Sequence, residues 1–309
     1  MRVVPFAEEH IEPAAALLEE RHARHREAEP LLPAPVDFRA EIEGLWVKEG
    51  ASGVFSEGGY LLGTRLEESW GPNVWIETAG HAVRRAEHVR DLYAAAAAGW
   101  VDAGRTRHYA LVPATDSELV DAWFRLGFGQ QQAHAVQEVP VQTDVVIPEG
   151  FEIRAPDPQD VEALIDVDLA LPRHQAQSPV FSTRFRDSRE DSREEWQKTF
   201  AGTDEEILIG YRNGRPVACW SLVSAERSRH YHGLTLPDHA CYLAFAVTLP
   251  ETRGSGIGVA LTQASLARAQ ELGFESMVTD WRVTNLLASR FWPKRGFRTT
   301  FLRLYRSIP

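Results

Sequence analysis

Apolar residues recur along the chain in two patterns that alternate with each other. Short runs that are apolar throughout or have a period of two predict strands, whereas apolar residues three or four positions apart predict helices. In the first half, strands are predicted at residues 2–6, 53–66 (a hairpin turning at Gly58-Gly59), 74–83, 108–112 and 131–139, and helices at about 8–20, 38–49, 86–103 and 117–126. Residues 140–150 are polar and flanked by prolines, which is typical of a linker.

The second half repeats this order of elements. Strands are predicted at residues 151–156, 206–223 (a hairpin), 276–281 and 299–305, with a further strand that ends at Val247. The hairpin turns at Asn213-Gly214, a pair that strongly favours a two-residue turn. Helices are predicted at residues 160–169, 194–200, about 257–272 and 285–295, and the polar stretch 172–193 is predicted to be irregular.

The spacing of single residues supports an internal repeat. One offset of 169 residues relates Gly104 to Gly273, Trp123 to Trp292 and the pair Gly127-Phe128 to Gly296-Phe297. Two copies of one α+β unit explain this agreement better than chance. The sequence therefore predicts two tandem domains, at residues 1–143 and 150–309, each of ordinary domain size.

The two copies differ in the turn that follows the central strand. The second copy has Arg253-Gly254-Ser255-Gly256-Ile257-Gly258 there, whereas the first copy has residues 84–90 and no glycine. Glycines at a helix start leave backbone N–H groups free to approach an anion, with the positive end of the helix dipole behind them. We therefore expect a site suited to a pyrophosphate in the second copy alone. The alternative is a turn that only connects a strand to a helix.

Composition excludes several classes of protein. The chain has 309 residues and a net charge of −11, which argues against sequence-independent binding of nucleic acid. It has no apolar run long enough to span a membrane, and residues 1–10 lack the apolar core of a signal peptide. Its two cysteines, Cys219 and Cys241, give neither metal spacing nor a disulfide framework. We expect a cytoplasmic protein without a metal that acts as a monomer or a homodimer.

The glycine turn and the helix after it resemble motifs of a known superfamily. Arg253, Gly256 and Gly258 fit the pattern Gln/Arg-x-x-Gly-x-Gly/Ala, and Asn285-Leu286-Leu287-Ala288 followed by Gly296-Phe297 fits the pattern Asn-x-x-Ala … Gly-Phe. Together they resemble the acetyl-CoA motifs of the GCN5-related N-acetyltransferase (GNAT) superfamily. The resemblance covers residues 206–305 well and the first copy only by order of elements. It implies a tandem protein with a degenerate first copy.

This resemblance implies a fold and a cofactor site. The fold is α+β, similar to an α/β/α sandwich, with a mixed, mostly antiparallel sheet in each copy that splays open beside the central strand. Acetyl-CoA, the acyl donor, is expected in that gap. Backbone groups of Phe245, Ala246 and Val247 are expected to bind its pantetheine arm, and N–H groups of Arg253 to Gly258 its pyrophosphate. Asn285 is expected near the pantetheine or acetyl end.

The group that protonates the leaving thiolate departs from the family pattern. Members of the superfamily often carry a tyrosine four residues before the Gly-Phe pair, but this chain has Trp292 there. An indole N–H can donate a hydrogen bond but has no useful acidity. We expect Trp292 to pack in the core and to contact the cofactor. Water, Tyr242, Tyr305 or unassisted departure of the thiolate then remains for the acid step.

The sequence also leaves the identity of the general base undecided. The superfamily often places a glutamate on the central strand, and residues 243–247 contain none. The candidates are His239, because imidazole suits proton transfer near neutral pH, and Asp280 on the following strand. The thioester carbonyl is expected to be polarised by the backbone N–H of Val247, by resemblance. A loop with Arg227, Arg229, His230, Tyr231 and His232 is a candidate for the acceptor site.

The resemblance implies an acyl-CoA-dependent N-acyltransferase, with acetyl-CoA as donor and a primary amine of a small molecule as acceptor. Two alternatives are a non-catalytic acyl-CoA sensor and a protein lysine acetyltransferase, the latter because an acidic chain can attract a basic tail. In the first copy, polar residues lie where a cofactor would bind: Glu77, His81, Arg84, Arg85 and His88. We expect that copy to be structural or to shape the acceptor pocket, and the alternative is a small-ligand site of its own.

Overall fold

The computed structural model describes residues 2–34, 36–66, 70–182, 188–202, 205–228 and 231–309. The chain forms two compact units, and both are discontinuous in sequence. The first consists of Met1–His134, His232–Pro237 and Thr299–Pro309, and the second of Ala135–Tyr231 and Asp238–Arg298. The predicted division at residues 143–150 stays a prediction.

Helices and strands alternate along the first unit. The helices are α1 (Ile11–Ala28), α2 (Phe38–Trp46), α3 (His88–Asp102) and α4 (Ser117–Phe124). The strands are β1 (Val4–Pro5), β2 (Ser52–Ser56), β3 (Gly59–Gly63), β4 (Asn73–Ile76), β5 (His81–Val83) and β6 (Arg107–Pro113), and strand β7 (Gly129–Glu138) continues from this unit into the second.

Strands of the first unit pair in two groups. Strands β1, β2, β3 and β5 form a four-stranded antiparallel sheet. Strand β4 pairs in parallel with β6, which pairs on its other side with residues 301–307 of the last strand. The core of the antiparallel sheet packs against α1 and α2 through apolar side chains such as Leu18, Ile42 and Leu62.

The second unit contains the hairpin and the central strand predicted from the sequence. Its strands are β8 (Phe151–Arg154), β9 (Glu206–Arg212), β10 (Arg215–Ser224), β11 (Ala240–Thr248) and β12 (Ser276–Arg282), and β13 (Arg298–Ser307) starts here and continues into the first unit. Its helices are α5 (Val161–Asp168), α6 (Ala170–Gln175), α7 (Arg189–Ala201), α8 (Ile257–Glu271) and α9 (Leu286–Phe291).

Sheet order in the second unit is β8-β9-β10-β11-β12. All neighbours are antiparallel except β11 and β12, which are parallel. The β9–β10 hairpin turns at Asn213 and Gly214, whose φ angles of 52° and 76° are those of a two-residue turn with both residues left-handed. Mixed sheets flanked by helices confirm the predicted fold class.

The repeat is visible in the packing of the two related tryptophans. Trp123 and Trp292 are both buried, and each carbonyl accepts the backbone N–H of the phenylalanine five residues later. The intervening glycine of each Gly-Phe pair has a positive φ, 82° at Gly127 and 95° at Gly296. The rings meet edge to face, at 4.8 Å in the first copy and 5.3 Å in the second. One local structure thus occurs twice, as the spacing predicts.

Two predicted elements are wrong in detail. The strand predicted at residues 74–83 is interrupted by a turn at Thr78–Gly80, because β4 pairs with β6 whereas β5 pairs with β3. The buried guanidinium of Arg21 donates to the carbonyl of Thr78 in this turn and to that of His81 at the start of β5. The stretch predicted to be irregular at residues 172–193 contains the end of α6 and the start of α7, and its residues 183–187 lie outside the described part.

Candidate functional site

Strand β11 has an open edge and a bulge in its middle. Its parallel pairing with β12 runs from Ala240–Ser276 to Tyr242–Val278 and, within the described residues, ends there. On the other side, Ser221 pairs with Phe245 and Leu222 with Leu243, so Ala244 is an extra residue that is exposed although it lies mid-strand. A bulge of this kind bends a strand and re-aims its backbone groups. Beyond the bulge, β11 therefore presents an edge that another extended chain can reach.

The glycine turn forms the start of α8. Gly254 and Gly256 have φ angles of 81° and 91°, a conformation that favours glycine, and Gly256 is the N-cap of the helix. A Cβ at Gly254 would meet no heavy atom of the described residues within 4 Å, whereas one at Gly256 would lie 3.2 Å from Cγ of Pro148. Gly258 lies within the helix at an ordinary φ. The first turn of α8 contains no acidic residue, so its positive dipole end is not neutralised locally.

The open edge and the glycine turn border one cavity of about 390 Å³, which we call the glycine-turn cavity. Its walls come from α6, β10, β11, the turn, α8 and α9. The lining residues are Ala170, Leu171, His174, Trp220, Ala246, Val247, Thr248, Thr252, Arg253, Gly254, Gly256, Gly258, Val259, Asn285, Leu287, Ala288, Phe291 and Trp292. Among these, Arg253 is a full positive charge and none is a carboxylate. The cavity therefore suits an anion although the chain as a whole is acidic.

Most of the residues predicted to bind the cofactor line this cavity. Ala246, Val247, Arg253, Gly254, Gly256, Gly258, Asn285 and Trp292 do so. Three do not line it: Phe245 packs into the core beside α5, Ser255 accepts the N–H of Ile257 through its hydroxyl, and Ile257 buries its side chain under the helix. Their predicted contribution was through backbone groups, and it stays a prediction.

Asn285 is held in the cavity wall by two contacts. It is buried and is the N-cap of α9, where its Oδ1 lies 3.3 Å from the backbone N of Ala288. The same Oδ1 lies 3.1 Å from Nε2 of His174. The structure therefore brings together two polar side chains that are 111 residues apart in the chain.

Trp292 is buried among aromatic rings at the edge of the cavity. Its ring centroid lies 4.9 Å from that of Phe291, 5.3 Å from that of Phe297 and 6.5 Å from that of Trp220. These are edge-to-face contacts, the favourable geometry for aromatic pairs. The side chain thus packs in the core and borders the cavity at the same time.

Comparison with known proteins agrees with this geometry. The sequence profile of the Acetyltransferase (GNAT) family matches residues 173–297, which include most of the glycine-turn cavity. An uncharacterised N-acetyltransferase of Schizosaccharomyces pombe is 31% identical over 120 residues, which are 36% of this chain and 71% of that protein. The chain belongs to the GNAT family. The resemblance seen in the motifs is therefore confirmed.

Solved structures extend the likeness to the whole chain at the level of the fold. A GCN5-related N-acetyltransferase from Sphaerobacter thermophilus has a TM-score of 0.58 at 14% identity, covering 99% of this chain and 95% of that one. A tandem GNAT protein from the clavulanic acid biosynthesis pathway has a TM-score of 0.51 at 16% identity, covering 99% and 98%. The fold of a tandem GNAT protein thus accounts for both copies.

The two candidate bases of this GNAT protein lie outside the cavity lining. His239 is exposed and directly precedes β11, roughly 25 Å from Val247 at about 3.3 Å per residue of strand, and its carbonyl accepts the N–H of Glu275. Asp280 accepts a hydrogen bond of 2.6 Å from the hydroxyl of Tyr242. Burial and the Asp280 charge both raise the pKa of Tyr242, so this hydroxyl holds its proton. The structure does not bring these three groups to the glycine-turn cavity.

Tyr305, the other candidate acid, lies in the first unit. Its ring is 4.9 Å from that of Tyr109 on β6, within a cluster that also contains Trp75. It packs against this cluster on the first unit's sheet.

The loop predicted for the acceptor site is partly described. Arg229 and His230 lie outside the described residues. Tyr231 is buried and donates from its hydroxyl to the carbonyl of Thr279 at 2.7 Å, which is a structural contact. His232 lies 3.0 Å from the Glu77 carboxylate in the first unit, and this contact raises the pKa of His232.

The Glu77 carboxylate is stabilised as an anion. Burial alone would raise its pKa, but the contact with His232 and an ion pair of 3.1 Å with Lys48 hold that pKa below its usual range. Glu77 therefore anchors a segment of the loop rather than facing a solvent-filled pocket.

The first unit has its own cleft at the turn that replaces the glycines. The cleft measures about 670 Å³ and is lined by Arg84 and Arg85, by α1 residues that include Arg21 and by acidic residues that include Asp116. Arg84 and Arg85 are exposed. Of the other predicted polar residues, His81 is buried and contacts the carbonyl of Leu111 through Nε2.

Two further observations bear on membranes and metals. No helix in the described part of the chain is long and apolar enough to cross a membrane. Among the same residues, no three His, Cys, Asp or Glu side chains are grouped so that they could hold a metal ion.

Proposed function

We propose that the protein transfers an acetyl group from acetyl-CoA to a primary amine of a small molecule, by direct attack of the amine on the thioester. The observation that carries this proposal is the glycine-turn cavity, in which an open strand edge and a helix N-terminus meet. A strand edge suits the amide groups of a pantetheine arm, and free N–H groups at a helix start suit a pyrophosphate. Membership of the GNAT family supports the same reaction class.

The residues around the cavity fit this donor. Two glycines with positive φ angles leave the start of α8 without Cβ atoms; a side chain at either would be strained, and a Cβ at Gly256 would also lie 3.2 Å from Cγ of Pro148. Arg253 adds a positive charge, and none of the described residues lining the cavity is a carboxylate that would repel phosphate. In this assignment, the backbone of Ala246 and Val247 holds the arm, and the N–H of Val247 polarises the carbonyl that the amine attacks.

A carboxylate near the bulge of β11 supports the proposal that the acceptor is an amine. The hydroxyl of Ser221, which pairs with Phe245 next to the exposed Ala244, donates to the carboxylate of Glu205. Glu205 directly precedes β9, across β10 from the bulge, and a carboxylate there can attract a cationic amine before the amine loses its proton. Glu205 is itself exposed, so an incoming amine can reach it.

The test is release of CoA thiol from acetyl-CoA in the presence of a panel of small amines. Cys219 and Cys241 are both buried, and burial raises the pKa of both thiols, so the folded protein contributes little background to a thiol reagent. Turnover with at least one amine, lost in Gly256→Glu, is the expected result. Acetylation of lysine peptides in preference to every small amine would instead identify a protein acetyltransferase.

A non-catalytic acyl-CoA sensor is the second candidate, and Trp292 favours it. The position at which GNAT proteins often carry a tyrosine is filled by an indole that packs among three aromatic rings. A protein that binds CoA by calorimetry but releases no thiol with any amine would support the sensor over the enzyme.

A further inference from the structure

The hydrogen bond between His174 and Asn285 fixes which ring nitrogen carries the proton. The backbone N–H of Ala288 points at one atom of the Asn285 amide, and an N–H donor requires an acceptor, so that atom is the oxygen. Nε2 of His174 lies 3.1 Å from this same oxygen. Two acceptors cannot share a hydrogen bond, so Nε2 must donate. In the neutral ring Nδ1 is then the unprotonated, basic nitrogen.

The imidazole ring of His174 lies in the wall of the cavity proposed to bind the thioester. His174 lines the glycine-turn cavity together with Ala246, Val247 and Asn285, and it is partly buried. We propose that His174 is the general base that removes a proton from the acceptor amine. The proposal rests on the acetyltransferase function proposed above, and it gives that reaction a base that neither His239 nor Asp280 supplies from its position.

With Nδ1 as the base, the proton transfers and bond changes of one turnover are as follows. His174 Nδ1 takes one proton from the substrate ammonium, which leaves a neutral amine with a free lone pair. The lone pair forms a C–N bond to the thioester carbonyl carbon as the C–S bond breaks. The second amine proton goes to the sulfur through water, and the imidazolium releases its proton to solvent. The products are an amide, the CoA thiol and one proton.

Asn285 has a defined part in this step. When Nδ1 accepts a proton the ring becomes a cation, and the carbonyl dipole of Asn285 at Nε2 stabilises that charge. Among the described residues, the other charged group lining the cavity is Arg253 at the glycine turn, and Arg173 neighbours His174 on α6. Asn285 is thus a positioning residue, whereas His174 meets the substrate.

The proposal is tested with two variants of one residue. In His174→Gln, the side-chain amide can still donate to Asn285 but has no basic nitrogen, so a merely structural role would be preserved. We expect the affinity for CoA, by calorimetry, to change less than about twofold, while kcat/KM for the amine falls at least about a hundredfold. His174→Ala should fall similarly and be partly restored by added imidazole.

The pH profile and the tautomer give independent readouts. If His174 takes the proton, the dependence of kcat/KM on pH should differ between wild type and His174→Gln, and the variant should show only the ionisation of the amine. Nitrogen NMR of the free protein should show His174 as the Nε2–H tautomer. An Nδ1–H tautomer, or turnover and pH profile in His174→Gln within about threefold of wild type, would overturn the role of His174 alone. Wild-type protein that binds CoA and turns over no amine would overturn the proposed function and the role of His174 with it.

Discussion

Replacing Gly256 by alanine tests whether the glycine turn is built for a ligand. Gly256 has a φ of 91°, and a residue with a Cβ in the left-handed region costs about 1–2 kcal/mol. The new Cβ would also lie 3.2 Å from Cγ of Pro148, so the turn or the proline must shift by a few tenths of an ångström. We expect a loss of about 1–2 kcal/mol in unfolding free energy, a fall in Tm of roughly 2–8 °C.

The same shift should weaken CoA binding. If the N–H groups at the start of α8 hold a pyrophosphate, moving them loses hydrogen bonds to a charged group, about 1.5–3 kcal/mol. CoA affinity measured by calorimetry should then fall about ten- to a hundredfold. This loss is separate from the loss of stability, because calorimetry is done at a temperature where both proteins are folded.

Gly273→Ala is the matched control for this change. Gly273 follows the other end of α8 and has a φ of 82°, and a Cβ there would meet no heavy atom of the described residues within 4 Å. The backbone strain of about 1–2 kcal/mol should be the same as in Gly256→Ala, but CoA affinity should not change. Equal CoA affinities in Gly256→Ala and wild type, or an equal loss in Gly273→Ala, would refute the assignment of the glycine turn as the pyrophosphate site.

Four further outcomes are expected. Gly256→Glu should abolish CoA binding in calorimetry, because a negative charge enters the anion site; unchanged affinity would contradict pyrophosphate binding at the glycine turn. Arg85→Ala should leave CoA affinity within about twofold, and a large loss would show that the first unit also binds the cofactor. Trp292→Ala should cost about 3–5 kcal/mol in urea unfolding, since it empties a buried aromatic site. His232→Gln should lose more unfolding free energy near pH 5.5 than near pH 8.5 in the same assay. The pKa of His232 is raised in the folded protein, so its contact with Glu77 stabilises fully below about pH 6.5 and is lost as pH rises through the pKa of the folded state. Equal losses at both pH values would exclude a contribution of the charged His232–Glu77 pair to stability.

The glycine turn could be predicted from the sequence because its signal is local. Three glycines between a strand and a helix have few interpretations, and glycine is the residue that best tolerates the positive φ angles found at Gly254 and Gly256. The repeat could be predicted for a similar reason, since Trp123 and Trp292 keep one spacing to their Gly-Phe pairs. The structure of both features is determined by residues only a few positions apart in the sequence.

His174 could not be found in the same way. Its helix is only six residues long and lies at the edge of a polar, proline-containing stretch that predicts irregular structure. What makes the residue notable is its distance from Asn285, a contact between positions 111 apart. A weak signal was present, since histidine is the side chain best suited to proton transfer near neutral pH, but periodicity cannot place it in a cavity.

The break in the strand predicted at residues 74–83 has a similar cause. The local sequence favours an extended chain throughout, and the interruption at Thr78–Gly80 arises because β4 and β5 pair with different partners. The buried guanidinium of Arg21 from α1 stabilises it. Neither the partner strands nor the distant arginine can be deduced from the composition of the segment itself.

The discontinuity of the first unit has a consequence for synthesis on the ribosome. Strand β6 pairs along Arg107–Pro113 with Phe301–Ser307, which are made about 190 residues later. When residues 1–134 have left the exit tunnel, the edge of β6 that this partner covers is still unpaired, and it stays so while about 170 further residues are added. At about 5–20 residues per second this interval lasts roughly 10–30 s. An open strand edge of that lifetime is a point at which chaperones would engage the nascent chain, and a fragment that ends within the predicted linker, residues 140–150, would carry the same exposed edge permanently.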